Sequence, residues 1–176
     1  MRQLAAYDAL RFTEEEYGQL IRAKTASLFS AACELGAMRS TPARREALRA
    51  YGNALGMAFQ VTDDLLDYTE GEAVTGKPSG LDLKERKVTL PLIAALPRLA
   101  PEARREVEAL FAEKAPADER VARVIELVGR AGGLAYARER AAEWAGQAEA
   151  ALEELPQSQA REALRDAIAY AVERRH

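Results

Sequence analysis

Apolar positions recur every three to four residues along most of the chain, and no stretch alternates apolar with polar residues as a half-buried strand would. The pattern predicts an all-α fold, an antiparallel helical bundle forming one domain over residues 1–176. Thr13 with Glu16 makes a capping box, which opens a helix over 14–35 that Gly36 closes. Thr41-Pro42 supplies an N-cap and a proline at the first helical position, starting a helix that runs to Tyr68. Gly71, Gly76, Pro78 and Gly80 mark a loop over 69–82, followed by a short turn over 83–87 and a helix over 88–95 with Pro91 near its start. Amphipathic helices are expected over 101–113, 117–130, 134–154 and 158–174, with breaks at Gly132-Gly133 and Pro156. Residues 1–11 read as the tail of a helix or a lead-in.

The helix from Pro42 is apolar over most of its circumference. At roughly 100° per residue, Leu48, Tyr51, Leu55, Ala58, Phe59, Thr62, Leu65 and Leu66 share one broad face, which Met57 and Val61 extend. Such a helix belongs in an interior. Its remaining strip, Asn53, Gly56, Gln60, Asp63, Asp64 and Asp67, is therefore expected to line a cavity. Gly52 and Gly56 each cost about 1 kcal/mol relative to alanine within a helix. Close approach of a neighbouring helix accounts for Gly52; either that or room for a ligand accounts for Gly56.

The acidic end of this helix is unfavourable on local grounds. Asp63 and Asp67 are like charges four residues apart, which repel by roughly a few tenths of a kcal/mol. They sit near a helix C-terminus, where the dipole disfavours negative charge, and Glu70 and Glu72 add to the field. A bound Mg²⁺ relieves the conflict, because it takes carboxylate oxygens and completes its shell with water and phosphate. Asp63, Asp64 and Asp67 are thus candidate metal ligands. A solvated acidic helix end is the alternative.

In the first long helix, Tyr17, Leu20, Ile21, Leu28, Ala32 and Leu35 mark an apolar stripe with Lys24 in its middle and Thr25 beside it. A lysine buried there needs an anion; it otherwise snorkels to the surface or pairs with a structural carboxylate. Composition sharpens the choice. The chain has 20 arginines and five lysines, four of the latter being Lys24, Lys77, Lys84 and Lys87. Lysine is a compact point charge suited to phosphate, and three of these four follow the acidic helix end, where the alternative for Lys84 is an ordinary solvated surface. The net charge of −3 gives no basic surplus for nucleic acid. The lone cysteine, Cys33, fits a small core residue and a reducing, cytoplasmic setting, and no apolar run is long enough to span a membrane. The lone histidine, His176, is terminal, so imidazole catalysis is not expected. Tyr51, Tyr136 and Trp144 are expected as core or interface aromatics.

Gly56-x-x-Phe59-Gln60-x-x-Asp63-Asp64-x-x-Asp67, with Thr75-Gly76-Lys77-Pro78-x-Gly80-x-Asp82-x-x-x-x-Lys87-x-Thr89-Leu90-Pro91 downstream, resembles the second aspartate-rich region of the trans-isoprenyl diphosphate synthases. Lys24-Thr25 resembles that family's Lys-Thr motif, and the likeness is most specific over 14–93. It implies an all-α transferase that condenses an allylic diphosphate with isopentenyl diphosphate. It also implies that Asp63, with Asp64 and Asp67, holds Mg²⁺ bridged to the allylic diphosphate, and that Lys24, Lys77 and Lys87 bind that diphosphate. Thr25 and Gln60 would line the reacting carbons, Phe59 would flank the isopentenyl site, and the departing diphosphate would take the final proton. Family members also carry a first aspartate-rich motif and an upstream arginine pair. This chain has no second cluster of that type, and Arg44-Arg45 is misplaced for the pair. The expectation is the C-terminal half of a synthase, inactive without its upstream half, acting as a homo-oligomer or in a complex with that half. The alternative is a non-catalytic helical subunit that binds or regulates a synthase.

Overall fold

The structure, a computed structural model, describes residues 9–69 and 80–173. Lys77, Glu70, Glu72 and His176 lie outside the described residues. Among the described residues there are helices and turns but no strand, as the periodicity predicts.

The capping signals set the first boundaries. The Glu16 N–H donates to Thr13 Oγ1 at 3.2 Å and the Thr13 N–H donates to the Glu16 carboxylate at 2.8 Å, closing the capping box of α1 (Glu14–Ile21). α1 continues through a π turn (Arg22–Ala26) into α2 (Ser27–Gly36). The Arg44 N–H reaches Thr41 Oγ1 at 3.4 Å at the head of the central helix α3 (Pro42–Thr69). Short helices α4 (Leu81–Lys84) and α5 (Leu90–Ala95) lead to α6 (Pro101–Ala112), α7 (Asp118–Arg130), α8 (Gly133–Leu152) and α9 (Gln159–Glu173). The turn expected over 83–87 is displaced, because Gly80 adopts a left-handed φ of 76° and starts α4 at Leu81. The following helix starts at Leu90 rather than Val88, because Thr89 is still extended and Pro91 belongs in a first turn.

α3 is the spine. α1 and α2 run antiparallel along one flank, pairing Tyr17 with Asp64, Ala26 with Gly56 and Phe29 with Gly52. α8 lies along another flank and buries Ala137, Ala141 and Ala148, small side chains that let two helix axes approach. Met57, Val61 and Leu65 pack with Tyr17, Ile21, Leu90 and Ala141. Tyr51, Ala54 and Leu55 pack with Leu152 and Ile168, with Cys33 half-buried at the edge. A third cluster gathers Tyr68, Leu83, Leu92, Val107, Leu110 and Val124 around the C-terminal end of α3. Tyr51 is buried and donates its hydroxyl to Leu164 O at 2.8 Å, Tyr136 donates to Glu14 at 2.8 Å, and Trp144 packs between the first two clusters.

Both helix glycines are explained by close approach. A Cβ on Gly52 would lie 2.5 Å from Phe29 O, and one on Gly56 would lie 2.6 Å from Ala26 Cα. Gly56 therefore seats a helix and does not leave room for a ligand.

The π turn corrects the expected stripe of the first helix. Counting at a constant 100° per residue puts Lys24, Leu28, Ala32 and Leu35 in line with Tyr17 and Ile21. One wider turn rephases everything after Arg22. Ala26 is buried, Phe29, Ser30 and Cys33 are partly buried, and Lys24 and Ala32 are exposed. Leu20, Leu28, Leu35 and Met38 remain 54, 71, 64 and 64 % exposed, a second apolar face left open among the described residues.

Gly52→Ala is expected to destabilise the fold by about 2 kcal/mol or more, because the clash is with backbone. Gly18→Ala and Gly146→Ala, where an added Cβ meets nothing within 4 Å, are expected to be neutral or to stabilise by roughly 0.5–1 kcal/mol. Urea unfolding of the three variants checks the contrast.

Candidate active site at the end of the central helix

The side chains of α3 beyond Gly56 are set by their position between α1 and α4. Asp64 is buried, and both of its oxygens are taken: the Tyr17 hydroxyl donates at 2.7 Å and Gln60 Nε2 donates at 2.8 Å. Gln60, also buried, accepts from the Thr25 hydroxyl at 2.8 Å. The result is a continuous chain, Thr25–Gln60–Asp64–Tyr17, that stitches the π turn and α1 to α3. Burial pushes the Asp64 carboxyl up to about 6, against the two donors, with Asp82 and Asp63 nearby adding to the rise. The Tyr17 hydroxyl is raised by burial first and by Asp64 second.

Asp67 works on the other side. Its carboxylate accepts the backbone N–H groups of Leu81 and Asp82, each at 3.1 Å, and its carbonyl accepts the Gly80 N–H at 2.8 Å. It thereby anchors the start of α4, where a Cβ on Gly80 would lie 2.4 Å from Val121 Cγ1. Burial raises its carboxyl too, while the two N–H groups oppose the rise. Lys87 returns to the same place: its Nζ lies 3.2 Å from Asp82 Oδ1 and 2.6 Å from a Glu85 oxygen, and Glu85 leads in pushing it up to about 12. Lys84 is paired with Asp118 at 2.7 Å, an ordinary surface role.

The predicted site residues therefore fall into distinct settings. Asp64, Gln60 and Thr25 are joined in one network, and Asp67 and Lys87 are linked through Asp82. Asp63 is exposed at the same helix end, and Lys24 is exposed on the π turn beside Thr25. Phe59 is half-buried and packs on Phe29, ring centroids 5.7 Å apart. Among the described residues, two members of the polar strip of α3 stand apart from its acidic end. Gly56 is sealed by Ala26, and Asn53 lies in an open cleft of about 430 Å³ with Arg22, Arg49 and Gln147. Among the described residues no group of three or more His, Cys, Asp or Glu side chains stands ready to hold a metal ion.

Sequence reasoning missed two participants. Tyr17 lies on the apolar stripe by periodicity, yet its hydroxyl is a polar anchor; its place two turns before Lys24 is the available signal. Asp82 was noted in the motif without a role, and it faces Asp64, Asp67, Tyr17 and Lys87.

An all-helical bundle whose spine ends in Asp-Asp-x-x-Asp, braced by a Lys-Thr turn, defines the isoprenyl synthase class. The chain belongs to the polyprenyl synthetase family, whose pattern it matches over residues 1–128. It is 40 % identical over 172 residues to the short chain isoprenyl diphosphate synthase of Methanothermobacter thermautotrophicus, covering 96 % of this chain and 52 % of that one. It is 40 % identical over 164 residues to the octaprenyl diphosphate synthase of Escherichia coli, covering 92 % and 50 %. A crystal structure of polyprenyl synthase from Caulobacter crescentus, complexed with calcium and isoprenyl diphosphate, superposes with a TM-score of 0.89 at 39 % identity, over 95 % of this chain and 52 % of that one. The chain spans about half the length of the curated relatives it matches. No described helix is long and apolar enough to cross a membrane.

The raised Asp64 pKa predicts an inverted pH slope. Its folded-state value of about 6 lies above the 3.8 of an ordinary aspartate, so the folded state holds an extra proton between those values. The stability this lends is full below about pH 4 and is lost as pH rises through 6, on the order of 3 kcal/mol in total. In the metal-free chain, the stability difference between wild type and Asp64→Asn should change by that order from pH 4 to 7 in urea titrations; parallel pH curves would contradict it.

Proposed function

We propose that this chain is the diphosphate-binding half of a prenyltransferase that joins an allylic diphosphate to isopentenyl diphosphate. The observation that carries the reading is the acidic end of the central helix, where exposed Asp63 adjoins buried Asp64, and Asp67 and Lys87 meet at Asp82, in a chain similar to synthases along almost its whole length. An aspartate carboxylate is a hard oxygen donor of the kind Mg²⁺ takes, the rest of its shell coming from water and phosphate oxygens. Asp63, exposed at the helix end, would contact the ion, with Asp64 and Asp67 holding the surrounding elements and completing the acidic field. When bound, the ion neutralises charge on the leaving diphosphate.

The remaining roles belong to the chain's own side chains. Lys24, Lys77 and Lys87 meet the diphosphate as point charges, stabilising the negative charge that grows as the allylic C–O bond breaks. Thr25 and Gln60 line the reacting carbons, and Phe59 flanks the isopentenyl group. The apolar clusters on either side of α3 keep water from the cation. The departing diphosphate takes the proton lost from the new chain, so no protein base is needed. The setting is the cytoplasm, in agreement with a single unpaired cysteine. The half-length match and the open face of Leu20, Leu28, Leu35 and Met38 support assembly with an upstream half-synthase, or as a homo-oligomer.

That same face supports a second reading, a non-catalytic helical subunit seated on a complete synthase. The two separate in a mixing assay with Mg²⁺, dimethylallyl diphosphate and labelled isopentenyl diphosphate, using this chain with and without the upstream half of the Escherichia coli relative. The enzymatic reading predicts turnover only for the pair, and a loss of about 100-fold or more in Asp63→Ala. An inactive pair, or an Asp63→Ala rate equal to wild type, favours the subunit reading.

A further inference from the structure

Lys87 is held at both of its ends. Its backbone N–H donates to Asp82 O at 2.8 Å, and its ammonium donates to Asp82 Oδ1 at 3.2 Å. Asp82 in turn hangs from α3 by its own N–H, which donates to the Asp67 carboxylate at 3.1 Å. The Glu85 carboxylate comes closer to the ammonium than Asp82 does, at 2.6 Å. Residues two apart on a helix do not face each other, so this pair needs a break between its members. Arg86 supplies it. At φ 57° it is the one described residue other than glycine in the left-handed region, and it folds Lys87 back beside Glu85. The two carboxylates differ in setting: the Asp82 side chain is 17 % exposed and fixed through its own backbone, whereas that of Glu85 is 49 % exposed.

We infer that Glu85 sets the affinity of the diphosphate site: its carboxylate takes the place on the Lys87 ammonium that a diphosphate oxygen would take, and an incoming diphosphate has to displace it. This rests on the prenyltransferase reading, in which Lys87 meets the diphosphate, and it deepens it. Binding then exchanges one charge-assisted hydrogen bond for another and gains less than a first contact would. Asp82, on the inner side, keeps Lys87 aimed while the outer partner changes. The same exchange run backwards eases departure of the diphosphate that the reaction releases, because the ammonium it leaves is covered at once by Glu85.

Calorimetric titration with inorganic diphosphate in Mg²⁺ tests this on the wild-type chain, Glu85→Gln, Lys87→Met and the double variant. Both side chains stand at the surface, 49 and 57 % exposed, so the variants keep the fold, and their melting temperatures check it. Glu85→Gln is expected to lower the Kd about threefold, within the worth of a half-exposed ion pair. Lys87→Met is expected to raise it about tenfold, the worth of a hydrogen bond to a charged group. On the Lys87→Met background, Glu85→Gln is expected to leave the Kd unchanged, because no ammonium remains for the carboxylate to cover. A Kd that Glu85→Gln leaves unchanged or raises in the otherwise wild-type chain overturns the inference. Equal tightening on both backgrounds also overturns it, since Glu85 would then act only as a distant negative charge. So does a Lys87→Met Kd equal to wild type. A wild-type chain that takes up no diphosphate in Mg²⁺ overturns the prenyltransferase reading along with the inference, so the wild-type titration tells the two failures apart.

Discussion

A carboxylate that is only 8 % exposed must find donors or a proton, and the way Asp64 solves this organises the region around it. Its two partners come from different places: Gln60 from one turn earlier on α3, and Tyr17 from a helix 47 residues away in sequence. The pairing is affordable only because α1 and α2 lie hard against α3. That closeness depends on Gly52 and Gly56, where a methyl group would meet backbone within 2.6 Å. Remove the fit and Asp64 loses an α1 donor; remove Asp64 and the buried Tyr17 hydroxyl and Gln60 amide lose their acceptor. Packing and polarity are therefore one constraint rather than two.

Asp67 shows the same economy at the neighbouring position. Two backbone N–H groups that would open α4 unsatisfied end on its carboxylate. The helix dipole penalty for an acid at the end of α3 is thereby offset by the start of another helix. The three aspartates that look equivalent in sequence have three settings: exposed Asp63, Asp64 inside the bundle, and Asp67 at the junction with α4. A divalent ion and a diphosphate would meet a site whose walls are already tied down.

Much of this was legible in the sequence, because the signals were local. Thr13-x-x-Glu16 and Thr41-Pro42 mark boundaries through hydrogen bonds spanning three residues, and the apolar period of α3 foretells its burial. The motif around Asp63 likewise pointed to the family. What escaped was non-local or broke the assumed geometry. A constant 100° per residue has no place for the π turn at Arg22–Ala26, so it draws Lys24 onto a buried stripe and leaves Phe29 off it. The strip of α3 by itself suggests one continuous cavity wall, whereas Ala26 seals Gly56 and the Tyr17 hydroxyl reaches into the strip from another helix. Neither is visible from α3 alone.

The central claim is that the end of α3 takes up a metal-chelated diphosphate. Calorimetric titration of this chain with inorganic diphosphate, with and without Mg²⁺, tests it most directly. The account predicts weak uptake that requires Mg²⁺ and disappears in Asp63→Ala. Equal heats with and without the metal, or uptake by Asp63→Ala indistinguishable from wild type, would contradict it.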